Sequence, residues 1–378
     1  MTAIAVLSLL AWLYLALLHG RFWQAGPVLG PDRPASFPAV AIVVPARDEA
    51  AFVARSLGSL LAQDYGGPTE LVLVDDGSGD DTGDIARGLY HDGRLRVLAG
   101  AARPPGWAGK LWAVQQGVAA TTAPWLLLTD ADIEHDPPHL ASLMAQAERS
   151  GADLVSEMVA LHRSSPAETL LIPAFMYFFQ MLAPFRWVAT SVRRRRTAAA
   201  AGGTVLIRRA ALERIGGIAA IRGALIDDMA LARAVKPGGP IWLGHSAFAR
   251  SIRPYPKAAD IWRMIARSAY VQLRHSPLLL VGTLVGMWLL FVAPVLAAVS
   301  GEYPAWIAGL ATWLLLATTF APTLRRFGVT PLLGLLLPAI ALFYMAATLG
   351  SALDHHLGRG VTWKRRAYKD AVARDEAA

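Results

Sequence analysis

The sequence contains no cysteine. Disulfide cross-links, zinc–thiolate centres and cysteine nucleophiles are therefore excluded. Charge is also scarce: 17% of the residues are Asp, Glu, Lys or Arg, against 54% hydrophobic, a balance too apolar for an ordinary soluble enzyme. No low-complexity tract and no internal repeat interrupts the chain. Basic residues outnumber acidic ones, with a formal net charge of +8 over 378 residues. They form no stripe of the kind that binds nucleic acid, and their clusters lie beside apolar segments. In such a chain the excess favours anionic lipid surfaces and phosphorylated substrates. The length suffices for one sizeable domain together with membrane segments.

Residues 3–18 are apolar and uncharged, and Arg21 follows. No basic residue precedes the run and no small-x-small site ends it. Residues 1–20 therefore read as an uncleaved anchor rather than a signal peptide, with the basic flank in the cytoplasm. Residues 21–38 carry Pro27, Pro31, Pro34 and Pro38, the chemistry of a linker. Residues 258–276 interleave apolar residues with Arg263, Arg267 and Arg274, the pattern of an amphipathic helix lying in the membrane plane. Within 277–351 three apolar segments, at 278–299, 304–322 and 331–351, approach the length that spans a bilayer. Gly301-Glu302-Tyr303 lacks basic residues and the next loop has Arg325 and Arg326, which places the first outside and the second inside. Four spans from an outside N-terminus would leave the tail, residues 352–378, outside. Yet the tail carries Arg359, Lys364, Arg365, Arg366 and Lys369. An incomplete crossing at Pro338 is one resolution, and an exception to the positive-inside tendency is the other. The aromatic run at 170–182 reads equally as an interfacial helix or a buried core helix. Arg193-Arg194-Arg195-Arg196 is either a solvated face or a partner for headgroups or a diphosphate.

Residues 39–257 alternate short apolar runs with helical patterns. Runs at 40–45, 71–74, 95–98, 125–129 and 154–159 have the continuous apolarity of strands buried on both faces, and a helix is expected at about 49–63. Together they indicate an α/β fold: a mainly parallel sheet with helices on both faces. Three strands end in acid: Arg47-Asp48-Glu49, Asp75-Asp76-Gly77-Ser78 and Thr129-Asp130-Ala131-Asp132. Open α/β sheets bind ligands at such ends. Asp130 and Asp132 offer hard oxygens suited to Mg²⁺ or Mn²⁺ shared with phosphates; helix capping ahead of Asp136-Pro137-Pro138 is the plainer alternative. Pro105-Gly106-Trp107-Ala108-Gly109-Lys110 sets glycines and a lysine at a helix start, a place for phosphate though not a P-loop. The alternative is a loop with a solvated lysine. Gly202-Gly203 opens a strand at 204–207. Asp227-Asp228 begins a helical stretch at 229–235, where carboxylates serve as caps or one serves as a general base. His245 is a candidate third metal ligand.

As a set, Val43-Val44-Pro45-Ala46-Arg47-Asp48-Glu49, Val74-Asp75-Asp76-Gly77-Ser78, Gly106-Trp107-Ala108-Gly109-Lys110, Thr129-Asp130-Ala131-Asp132 and Asp227-Asp228 resemble the family 2 inverting glycosyltransferases of the GT-A fold, over residues 39–275. The membrane segments and the Gly-Trp-x-Gly-Lys piece are similar to the ceramide-glucosyltransferase-like branch. Within it, Arg267-Ser268-Ala269-Tyr270-Val271-Gln272-Leu273-Arg274 and Trp363-Lys364-Arg365-Arg366 resemble the hopanoid-biosynthesis-associated glycosyltransferases of bacteria. The resemblance implies a GT-A catalytic domain at 39–257 with transmembrane helices, a nucleotide-sugar donor, a lipid acceptor and a divalent metal. It also implies a multi-pass place in the bacterial inner membrane with the catalytic domain cytoplasmic. Asp75 would then contact the nucleotide base, with Pro45, Arg47 and Glu49 lining its pocket. Lys110 and Asp130 would face the donor, and Asp130 and Asp132 would hold the metal–diphosphate, Asp132 more directly. Asp228 would be the base, and Gly202, Gly203, Asp227, Arg267 and Gln272 would stand on the acceptor side. Donor base, sugar and oligomeric state do not follow from it. Processive members carry Gln-x-x-Arg-Trp; here Gln272-Leu273-Arg274-His275-Ser276 has no tryptophan, which favours a single transfer, to a polycyclic or other isoprenoid lipid. The competing readings are a polysaccharide synthase and a non-catalytic nucleotide-sugar-binding membrane protein. Retention of Asp130, Asp132 and Asp228 speaks against the latter.

Overall fold

The six expected strands and two that were not expected form one sheet: β1 (Val40–Ala46), β2 (Thr69–Asp75), β3 (Leu95–Ala99), β4 (Trp125–Thr129), β5 (Ile133–His135), β6 (Leu154–Ala160), β7 (Thr204–Arg208) and β8 (Ile241–Ser251), of which β5 and β8 are the unexpected ones. Their order is β3-β2-β1-β4-β7-β6-β8-β5. The half from β3 to β4 is parallel. β7 runs antiparallel to both β4 and β6, β6 and β8 are parallel, and β5 closes the edge antiparallel to β8. The computed structural model describes residues 1–89, 93–190, 195–359, 362–363 and 366–367. Arg193, Arg194, Lys364, Arg365 and Lys369 lie outside the described residues.

Side chains alternate across a strand, and the sheet uses both faces. Ile42, Val44, Leu73 and Leu127 share a buried cluster with Leu57 and Leu60 of helix Val53–Leu61 and with Leu140 and Met144 of helix His139–Ser150. Val72 and Val74 point the other way, against Ala113 of helix Gly109–Ala119. That helix lies very close to β1: a Cβ added at Gly117 would stand 2.4 Å from Val43 Cγ1. Helix Val53–Leu61 starts later than its pattern predicts because residues 49–52 form a turn, with the Glu49 carbonyl accepting from the N–H groups of Phe52 and Val53.

The chain divides into two units. The described residues of Pro27–His162 and Trp187–Arg253 contain the sheet; those of Met1–Gly26, Arg163–Arg186 and Pro254–Val361 are helical. In the helical unit, Pro277–Ala298, Ala305–Arg326 and Pro331–His356 are long and apolar enough to cross a membrane, while helix Thr2–Leu17 has 16 residues, short for a crossing. Pro338 lies in the first turn of helix Leu337–His356, not in its middle, where proline is favourable. Pro294 has no N–H for the carbonyl of Leu290; Trp12 Nε1 donates to that carbonyl at 2.7 Å and Ser8 Oγ to that of Leu289 at 2.8 Å. The aromatic run forms helix Pro166–Leu182, started by a Ser165–Glu168 capping box. It takes the buried alternative: Tyr177 Oη meets Thr319 Oγ1 at 2.8 Å, and Tyr344 Oη donates to the Leu171 carbonyl at 2.9 Å.

The spacing at Gly117 generates a paired prediction. Gly117→Val should cost about 1–3 kcal/mol through overpacking. Gly58→Ala, at an exposed position of helix Val53–Leu61 where an added Cβ meets nothing, should gain about 0.5–1 kcal/mol. Thermal melting of the two variants should move in opposite directions.

Candidate active site

Parallel register brings the C-terminal ends of β1, β2 and β4 out at one edge, with Ala46 beside Asp75 and Val43 beside Leu128. β7 runs the opposite way and begins there, Thr204 beside Thr129, directly after Gly202-Gly203. A cleft at this edge is lined by Pro45, Lys110, Thr129, Asp130, Gly202, Asp227 and Asp228, and otherwise by apolar residues that include Leu111, Val114, Leu128, Ile218, Ile221 and Leu231. Lys110, in the first turn of helix Gly109–Ala119, places Nζ 2.8 Å from Asp130 Oδ1 and 3.0 Å from Asp227 Oδ2. Burial pulls its ammonium down, but the two carboxylates outweigh burial and hold it protonated, above the ordinary lysine range.

Burial raises the Asp130 carboxyl to about 6, with Lys110 opposing and Asp132 adding. Burial, with Asp227 adding and Lys110 opposing, raises the neighbouring Asp228 to about 7. Asp228 Oδ1 accepts from the Met229 N–H at 2.7 Å, at the start of helix Asp227–Val235. Gly202 lets this carboxylate approach the chain: a Cβ there would stand 3.2 Å from Asp228 Oδ2.

Asp132 is engaged elsewhere. Its Oδ2 accepts from Arg253 Nε at 2.6 Å, and another nitrogen of the same guanidinium donates to Glu49 Oε2. Arg253 follows β8 and lies 4.7 Å from the centre of the Phe52 ring. In the sequence nothing sets Arg253 apart from the other scattered basic residues. Asp75 Oδ1 accepts from the backbone N–H and Oγ of Ser78 at 2.9 and 2.6 Å, and Arg47 Nη1 donates to the carbonyls of Asp76 and Gly77. These contacts shape the loop after β2. The cleft does not include His245, which is buried in β8. Asp130 and Asp132 do not cap helix His139–Ser150, whose N-cap is Pro138. Arg267 and Gln272 belong to the helical unit, on helix Ala258–Gln272.

A buried polar chain holds the turn that carries the two aspartates. Thr129 Oγ1 donates to the Gly203 carbonyl at 2.9 Å, so toward His135 Nε2, 3.1 Å away, it can only accept. His135 therefore carries its proton on Nε2, and its Nδ1 accepts from His139 Nδ1 at 2.9 Å. One proton is then shared between His139 Nε2 and Glu157 Oε1. Burial, and then His139, push His135 well down, in keeping with a neutral ring. Neither histidine stood out in the sequence, because each lies inside an otherwise ordinary strand or helix pattern.

The family model of glycosyl transferase family 21 matches residues 3–374. This is the ceramide-glucosyltransferase family, the branch that the Gly106-to-Lys110 piece indicated. The succinoglycan biosynthesis protein ExoU of Rhizobium meliloti (strain 1021) is 30% identical over 131 residues. That match covers 34% of this chain and 36% of the relative, so the chain spans about a third of its length. Among solved structures, the mannosyltransferase PcManGT from Pyrobaculum calidifontis in complex with GDP-Man and Mn²⁺ has a TM-score of 0.58 at 21% identity. It covers 93% of this chain and 99% of that one, which shows a shared GT-A fold. S. aureus TarS 1–349 in complex with UDP-GlcNAc has a TM-score of 0.42 at 14% identity, over 86% and 93% of the two chains.

The buried chain behind the turn makes a stability prediction. Glu157→Leu strands the Nε2 side of His139 in the core and should cost about 3–5 kcal/mol, as for one partner of a buried pair. His139→Leu with Glu157→Leu should cost clearly less than the sum of the single changes. Denaturant unfolding of the three variants reads this directly.

Proposed function

The chain belongs to glycosyl transferase family 21 and is a glycosyltransferase, and we propose that it is an inverting enzyme that moves one sugar from a nucleotide-diphosphate donor to a lipid acceptor. The observation that carries this reading is the meeting of Lys110, Asp130, Asp227 and Asp228 in one cleft at the strand ends. In that reading Asp228 takes the proton from the acceptor hydroxyl. The hydroxyl oxygen bonds to the anomeric carbon on one face, while the bond from that carbon to the diphosphate breaks on the other. No carboxylate nucleophile is needed, in contrast to a retaining glycosidase. Lys110, held as an ammonium, stabilises the departing diphosphate. Pro45, Arg47, Glu49 and Asp75 line the donor side, and Gly202, Gly203 and Asp227 the acceptor side; Arg267 and Gln272 are assigned to the acceptor by resemblance alone.

A divalent ion fits the donor set of the Asp130-Ala131-Asp132 turn. Both ligands are hard carboxylate oxygens, and the Asp130 side chain is 34% exposed toward the cleft. Among the described residues no group of three or more His, Cys, Asp or Glu side chains stands ready to hold a metal. The fit is thus that of Mg²⁺ or Mn²⁺ sharing its shell with the diphosphate. When bound, such an ion neutralises charge developing on the leaving group.

The apolar lining beside Asp228 supports an acceptor of low polarity, and the three membrane-length helices support one drawn from the bilayer. Its class, in this proposal, is a hopanoid or related isoprenoid alcohol, with the protein in a bacterial inner membrane and the sheet unit cytoplasmic. The test is to incubate membranes carrying the protein with labelled nucleotide sugars and extract the lipid phase. Label in a hopanoid fraction supports the proposal; label in sphingolipid redirects the acceptor; label in insoluble polymer overturns single transfer. Chelation should abolish labelling and Mn²⁺ or Mg²⁺ restore it, and indifference to chelation would remove the metal from the reading.

Asp228 makes a pH prediction. A base works only when ionised, and this carboxyl is raised to about 7. Hence kcat/KM should fall as the pH drops through about 7 and level off above it. Asp228→Asn should lower kcat by about 10²–10⁴-fold while the protein still binds the nucleotide, measured by calorimetry with GDP and UDP.

A further inference from the structure

Each aspartate of the Asp130-Ala131-Asp132 turn is already paired with its own cation. Lys110 holds Asp130 at 2.8 Å, and Arg253 holds Asp132 at 2.6 Å. Arg253 is fixed from several sides. It also pairs with Glu49, lies over Phe52, and its side chain is only 25% exposed. The backbone fixes the pairing too: the Ile252 N–H donates to the Asp132 carbonyl at 2.9 Å, and Ile133 of β5 stands opposite Ser251 of β8. A lone divalent ion approaching this turn meets carboxylates whose charge is already compensated, with a fixed positive group beside each. Like charges a few ångströms apart in a partly buried site repel one another, and a divalent ion more strongly than a monovalent one. A diphosphate arriving with the ion changes this balance, because its oxygens give the displaced cations an anion to go to.

We propose that Arg253 is a placeholder cation: it keeps Asp132 from a lone divalent ion and passes to the donor diphosphate when metal and nucleotide enter together. This rests on the metal-dependent reading above and adds to it an order of binding and a residue. The geometry suits the transfer. The guanidinium holds two carboxylates through different nitrogens, so it can release Asp132 while Glu49 still anchors it, and its planar fork is matched to phosphate oxygens. Lys110 stands in the same relation to Asp130 and Asp227.

The test measures Mn²⁺ uptake by the full-length protein in detergent, by electron paramagnetic resonance of free Mn²⁺, alone and with GDP or UDP. Wild type should bind Mn²⁺ alone weakly, and at least about tenfold more tightly once the preferred nucleoside diphosphate is present. Arg253→Met keeps an unbranched apolar stem over Phe52 and leaves Glu49 and Asp132 facing the ion. It should bind Mn²⁺ alone at least about tenfold more tightly than wild type, and the nucleoside diphosphate with Mn²⁺ more weakly. Arg253→Lys cannot hold both carboxylates and should fall between the two; it carries the test if the methionine variant does not fold. Equal uptake of Mn²⁺ alone by wild type and the Arg253 variants overturns the proposal. If that equality comes with nucleotide-dependent uptake, the metal reading stands and only the role of Arg253 falls. If no variant binds Mn²⁺ with or without nucleotide, the metal reading falls and takes this proposal with it.

Discussion

Carboxylates gathered at one edge of a sheet repel one another, and two cations wedged among them hold this edge together. Lys110 sits between Asp130 and Asp227, and Arg253 between Glu49 and Asp132. Parallel register creates the problem, since it delivers the ends of β1, β2 and β4 to the same place. Close packing solves it on one side, because helix Gly109–Ala119 carries Lys110 and lies against β1 with no room for a side chain at Gly117. The antiparallel β5–β8 pair solves it on the other, by ending where Arg253 meets Asp132. The sheet supplies negative charge in register, and the elements packed around it supply the counter-charge.

The two adjacent aspartates of helix Asp227–Val235 show how environment divides similar groups. Asp227 faces the Lys110 ammonium at 3.0 Å. Asp228 lies against Gly202 and accepts from backbone N–H groups, with burial and the Asp227 charge pushing its carboxyl up. In the proposed reading the second of these, raised to about 7 by burial and the neighbouring charge, is the proton acceptor.

What could be read in the sequence was whatever local pattern determines. Buried parallel strands announce themselves as unbroken apolar runs, and the acids after β1, β2 and β4 could be placed at strand ends without coordinates. Glycines and a lysine at a helix start marked Lys110 as a candidate, but not its pairing with Asp130 and Asp227. Contacts between distant parts of the chain were not legible. Arg253 meets Glu49 across a sequence separation of 204 residues, and no periodicity marks it. The chain from Thr129 through His135 and His139 to Glu157 depends on the arrangement of β4, β5 and β6, so its members looked like unremarkable polar residues in regular elements. The antiparallel β7, inserted between β4 and β6, was legible as a strand but not as the neighbour that brings Gly202 to Asp228.

Length alone also misjudges the helical unit. At 16 residues, helix Thr2–Leu17 is short for a bilayer crossing, and a rule based on span would treat it as peripheral. Its place is decided by a defect in another helix. Pro294 deprives the Leu290 carbonyl of its usual partner, and the turn at Trp288–Val292 widens into a π-helix. In apolar surroundings an unpaired carbonyl is costly, so side chains that reach it gain more there than in water. Trp12 and Ser8 do so from one face of the short helix. On that face Ala5 packs against Ala297, Ala305 and Ala308, small residues that let the helices approach. The short helix is held because it satisfies backbone groups that the longer one, broken by its own proline, cannot.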